Sequence, residues 1–178
     1  MLTRRRLSAL GSSVLASSSS LARGARAAPA NAERLIWAVN HAGEEVVTAY
    51  RADNTYDGAS MARLQNLFRD VHQNVAGPLP PLLVDILSVL QERWAYQRPF
   101  MIASGFRTPL TNAATEGAVP ASLHLRGLAA DISLPGIPLA DLADAAQSLS
   151  RRLGIMGLGL YPRFLHLDIG PQRAWTRR

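Results

Sequence analysis

The sequence predicts an α+β fold, a small antiparallel sheet with flanking helices. Several short stretches alternate apolar and polar residues with the period of a strand. Three longer stretches repeat apolar residues at helical spacing and are bounded by proline or glycine. The two patterns do not alternate regularly enough for a doubly wound parallel sheet.

The elements follow in order. RLIWAVN and EEVVTAYRA flank the glycine-containing HAGE and read as a two-stranded hairpin. In DGASMARLQNLFRDVHQ, Met61, Leu64, Phe68 and Val71 share a helical face, with Ser60 as the expected N-cap. GPLPPLLVDILSVLQERW starts a second helix on prolines, with Leu83, Ile86, Leu87, Leu90 and Trp94 along its buried stripe. PFMIASGF is a short strand ended by Gly105, and TPLTNAATEGAVPAS has the chemistry of a loop. GLAADISL is another strand, and IPLADLADAAQSLSRRLG is a helix begun by proline and stopped by glycine. MGLGLYP and FLHLDIG form a last strand pair, joined through Pro162 and Arg163.

Charge is unevenly placed. Residues 1–27 carry five arginines and no acid, which leaves +1 of the chain's net +6 for the remainder. A folded part with so little basic excess has no means of neutralising many phosphates, so nucleic acid is not an expected partner. The first segment combines TRRRL with a serine-rich, mildly apolar run and small residues in ARAAPANA. This is the pattern of an export signal of the twin-arginine type, cleaved after Ala27 or Ala30. Its apolar part is too short and too polar to span a membrane. The expected organisation is therefore a signal at 1–27 and one domain over 28–178. Export beyond the inner membrane makes wall, periplasmic and external molecules the expected targets.

Asp131 sits among alanines and isoleucine in a strand, where a buried carboxylate requires an arginine, a hydrogen-bond donor or a metal. A period of two places Phe164, His166 and Asp168 on one face of FLHLDIG and Leu165, Leu167 and Ile169 on the core face. In LAADISL the same rule sets Ala129, Asp131 and Ser133 opposite Leu128, Ala130 and Ile132. His124 lies just ahead of this strand. Two histidines and a carboxylate form a known three-ligand set for catalytic zinc, with water in the open position. Each residue taken singly also has an ordinary structural reading as a hydrogen-bonded core side chain.

SGFRTPLTN, SLHLRGLAAD and GLGLYPRFLHLDIG occur in that order, and together they resemble the zinc peptidases of family M15, in its branch of small murein endopeptidases. The marks of that branch, S-x-H-x-x-G-x-A-x-D and F-x-H-x-D-x-G, are both present over the C-terminal half. The resemblance implies a Hedgehog/D-Ala-D-Ala peptidase-like zinc site with His124, Asp131 and His166 as the ligands. It also implies hydrolysis of peptide cross-links in peptidoglycan, whose stem peptides become the expected partner, and a periplasmic or wall-associated location.

Other positions follow from the same resemblance. Arg107 corresponds to an arginine of the substrate cleft that holds a carboxylate or steadies an oxyanion, or else it pairs with a structural acid. Ser122 binds substrate or caps a turn; Gly127 lets the chain bend; Tyr161 reaches the cleft or packs in the core. Some M15 enzymes carry their general base as Glu three residues before the last ligand, or as His two before it. Here those positions are Arg163 and Phe164, neither of which takes a proton. Asp168 is then the catalytic candidate, either as the base or as the residue that orients a histidine ligand. Glu116 and His41 are the remaining candidates. Because Hedgehog domains resemble this fold and its zinc site, a catalytically silent zinc-containing wall-binding module is the alternative to an enzyme.

Overall fold

Strand pairing begins where the alternation is clearest. In the computed structural model, which describes residues 33–177, β1 (Arg34–Asn40) and β2 (Glu45–Ala52) form the expected hairpin. A two-residue strand, β3 (Thr55–Tyr56), extends it, and α1 (Gly58–Leu67) follows. Asp57, rather than Ser60, caps α1, its carboxylate accepting the Ser60 amide at 2.7 Å. The helix ends at Leu67, so Val71 falls outside it and Leu67 joins Leu64 and Phe68 in the core. Prolines open α2 (Pro81–Glu92), whose Leu83, Ile86, Leu87 and Leu90 are buried. Trp94 lies just past its end, half-buried against the core.

β4 (Phe100–Ser104) leads into the segment expected to be a loop, which contains a six-residue helix, α3 (Pro109–Ala114). A 3-10 turn over Leu123–Arg126 precedes β5 (Ala129–Ser133), and α4 (Leu139–Leu153) ends at Gly154. β6 (Ile155–Leu160) and β7 (Leu165–Pro171) pair as expected, and β8 (Arg173–Thr176) follows.

The sheet is larger than expected and mixed rather than antiparallel, with eight strands among the described residues in the order β3-β2-β1-β4-β5-β7-β6-β8. The α1–α2 crossover returns the chain beside β1 in the same direction, which makes β1 and β4 parallel. After Pro171 the chain rounds the start of β6 and runs along its other edge, which makes β6 and β8 parallel. The other neighbours are antiparallel.

α1 packs on β2, α2 on β1 and α4 on β6. Alternate strand residues such as Ile36, Ile102, Ile132, Leu158 and Leu167 meet these helices in one core. Each such side chain contributes about 1.5–3 kcal/mol by leaving water. Period two then sends the intervening residues, Asp131, His166 and Asp168 among them, to the opposite face.

The 3-10 turn is held by Gly127, at φ 66°, where an added Cβ would stand 1.8 Å from the Pro78 carbonyl oxygen. Replacing it by alanine combines left-handed strain with backbone overlap. Gly127→Ala is expected to destabilise the fold by about 3 kcal/mol, measured by urea unfolding.

Candidate metal centre

β5 and β7 are antiparallel neighbours with Asp131 directly opposite His166. His124 arrives from the 3-10 turn, whose N-cap Ser122 accepts the His124 amide, while the Arg107 amide donates to the His124 carbonyl at 3.1 Å. Three atoms converge. His124 Nε2 is 3.2 Å from both Asp131 Oδ1 and His166 Nδ1, and the last two are 2.9 Å apart. Ligands arranged tetrahedrally at zinc distances stand about 3.3–3.6 Å from one another, close to this triangle.

Hydrogen bonds on the far side of each ring assign the tautomers. His124 Nδ1 is 2.6 Å from the Gly105 carbonyl, which can only accept, so Nδ1 carries the proton and Nε2 a lone pair. His166 Nε2 is 3.0 Å from Asp168 Oδ2, so in the neutral ring Nδ1 carries the lone pair. With Asp131 Oδ1, three lone pairs face one point, which a cation or a proton must occupy. Burial works against a charge on Asp131, yet the two imidazoles outweigh it and hold the carboxyl well below its usual range. Burial likewise opposes a charge on His166, and Asp131 and Asp168 outweigh it and raise its pKa. A metal therefore competes with a proton for the His166 lone pair.

Asp168 is fully buried and accepts from His166, the Gly157 and Gly170 amides and both terminal nitrogens of Arg173. Burial raises its pKa, and the His166, Gly170 and Arg173 bonds more than compensate, leaving it lowered. The His166 ring stands between its carboxylate and the three-atom cluster. Arg107 donates to Asp131 Oδ2 and, at 2.7 Å, to Ser104 Oγ.

The cluster opens into a cleft of about 850 Å³ that Arg107, Ser122, Tyr161 and Glu116 also line. Tyr161 stacks on Phe164 at 4.6 Å and its hydroxyl accepts Trp175 Nε1 at 3.3 Å. His41 does not line it and instead packs against His72 at 5.2 Å. The sequence reading missed Arg173 and Trp175, which also line the cleft, and Asp70. Glycine at alternate positions of GLGL was a usable signal for the first two, since such a strand face leaves room for something else.

A sequence model for the family described as Peptidoglycan L,D-endopeptidase MepK, a branch of the M15 peptidases, matches residues 27–175. The chain belongs to this family. Among M15 relatives it is 36% identical to Peptidoglycan L,D-endopeptidase MepK of Escherichia coli K12 over 141 residues, 76% of this chain and 75% of the relative. It is 30% identical to Probable peptidoglycan L,D-endopeptidase MepK of Haemophilus influenzae over 140 residues, 75% of this chain and 73% of that one.

In this M15 chain the Arg107 segment is anchored by Asp70. The buried Asp70 carboxylate accepts the Thr108 amide and hydroxyl, both at 2.9 Å, and the His72 and Gln73 amides. Burial raises its pKa, but these bonds and Thr111 outweigh it and lower the value below 3.8. The ionised form therefore stabilises the fold above that value, and the contribution is lost as pH falls through the lowered folded pKa. Asp70→Asn is expected to cost about 1–3 kcal/mol at neutral pH. The deficit should narrow below about pH 4, which urea unfolding at pH 7 and pH 3 checks.

Proposed function

We propose that this M15 peptidase is a zinc enzyme that hydrolyses peptide cross-links of peptidoglycan, with His124, Asp131 and His166 as the metal ligands. The observation that carries the reading is the meeting of His124 Nε2, Asp131 Oδ1 and His166 Nδ1 within 3.2 Å of one another. Two imidazole nitrogens and one carboxylate oxygen suit a borderline cation, and three protein ligands match an open catalytic site rather than a closed structural one. Bound there, zinc would lower the pKa of its water toward about 7 and polarise the scissile carbonyl. The names of the relatives point to L,D cross-links as the bonds cut.

The chain's own groups then divide the remaining work. Asp168, enclosed by donors and screened by the His166 ring, fits the orienting role better than that of base. Arg107 steadies Asp131 and presents its guanidinium to the cleft, where it is placed to hold substrate or oxyanion charge. Asp131 and Asp168 being committed, Glu116 is the carboxylate among the described cleft residues left to accept a proton. The twin-arginine signal at 1–27, which would deliver the enzyme to its wall substrate, lies outside the described residues. Among those described, no helix is long and apolar enough to cross a membrane.

Purified protein incubated with intact sacculi tests the reading, with released muropeptides analysed before and after chelation. L,D-cross-linked dimers are expected to disappear, to persist with chelator, and to disappear again once zinc is restored. Glu116→Gln is expected to slow cleavage by about 10²–10⁴-fold with zinc content unchanged. Protein that binds sacculi and leaves every cross-link intact would be a silent wall-binding module. Cleavage indifferent to chelator would remove the metal from the reaction.

A further inference from the structure

Arg173 touches none of the three converging atoms, yet its position bears on them. We infer that Arg173 is a positioning residue that holds His166 in its ligating orientation by fixing the plane of the Asp168 carboxylate. The inference rests on the metal-centre reading above.

Arg173 meets Asp168 as a fork, Nη1 donating to Oδ1 at 3.1 Å and Nη2 to Oδ2 at 2.6 Å. Oδ1 also accepts the Gly157 and Gly170 amides, at 3.2 and 2.8 Å. With both oxygens pinned, Oδ2 is turned to the one remaining donor, His166 Nε2 at 3.0 Å. That bond keeps the proton on Nε2 and the lone pair on Nδ1, facing His124 and Asp131. A point charge would neutralise Asp168 equally well, but only a planar fork sets the carboxylate's rotation.

The sheet is built to admit this contact. Asp168 and Arg173 flank Gly157 from β7 and β8, at one level of the sheet. A Cβ on Gly157 would stand 2.4 Å from Asp168 Oδ2 and 2.5 Å from Arg173 Nη1. Trp175, two residues along β8, lies 5.2 Å from the Arg173 guanidinium and 5.4 Å from the His166 ring. The pair differs from an ordinary surface ion pair, because the Arg173 side chain is 43% exposed while that of Asp168 is 0% exposed. β8, paired with β6 at the edge of the described sheet, thus completes the support of a ligand on β7, two strands in from that edge.

The test is zinc affinity, measured on the full chain by competition with a chromophoric chelator, together with the absorption spectrum of the cobalt(II) form. Arg173→Met is expected to weaken zinc binding by about tenfold and to alter the cobalt spectrum. Arg173→Lys, which keeps the charge and loses the fork, should fall between Met and wild type and serves if the Met variant does not fold. Because Arg173 acts through Asp168, joining Arg173→Met to Asp168→Asn should weaken binding no further than Asp168→Asn alone. Unchanged affinity and spectrum in the Arg173 variants, or additive losses in the double variant, would overturn the inference while the wild type still binds zinc. A wild type that binds no zinc would instead remove the metal-centre reading itself.

Discussion

Antiparallel pairing of β5 with β7 sets Asp131 beside His166, and the surrounding structure answers the electrostatic problem this creates. Two carboxylates, two imidazoles and two guanidiniums lie in a chain from Arg107 through Asp131 and His166 to Asp168 and Arg173, with His124 closing the cluster. Each member on the outside of the chain satisfies the outward atoms of the member within. What remains unsatisfied is gathered at a single point, where three acceptor atoms face one another. Such a point is costly in a low-dielectric surrounding unless a positive species fills it. Stability and chemistry are thus coupled: the arrangement that would repel itself when empty is one that a cation would relieve.

The sheet makes this arrangement precise by separating its two faces. Helices α1, α2 and α4 bury the apolar face, so the strands cannot shift by a residue without turning Ile132 and Leu167 away from the core. Register fixed in this way also fixes Asp131 against His166. The segment that bears His124 has no strand to hold it and depends on local devices instead. These are the Ser122 cap, the Gly105 carbonyl against the His124 ring, the left-handed Gly127, and Asp70 gripping Thr108 beneath Arg107. A rigid sheet supplies two candidate ligands and a braced loop supplies the third.

The parts read from the sequence are those with a short repeat. Period two located β5 and β7 and sent Asp131, His166 and Asp168 to the same face, and the proline and glycine boundaries located α2 and α4. The parts that escaped it lack periodicity or depend on remote contacts. β3 and β8 have two and four residues, too few to show alternation, and so the sheet was expected to be smaller. Parallel pairing of β1 with β4 depends on where the α1–α2 crossover returns, which no local pattern states. α3 is only six residues, PLTNAA, too few to show helical spacing, and its helix is set by the Thr108 cap that Asp70 anchors. Arg173 carries no periodic signal, and its pairing with Asp168 is visible only in the fold.

On the proposed reading His124, Asp131 and His166 bind one zinc ion as a unit. X-ray absorption at the zinc edge of the loaded full chain tests it most directly. One tightly held ion is expected, in a four-coordinate nitrogen and oxygen shell at about 2.0–2.2 Å with outer-shell scattering from two imidazoles. A shell without imidazole scattering, or zinc retained unchanged after His124→Ala and His166→Ala together, would contradict it.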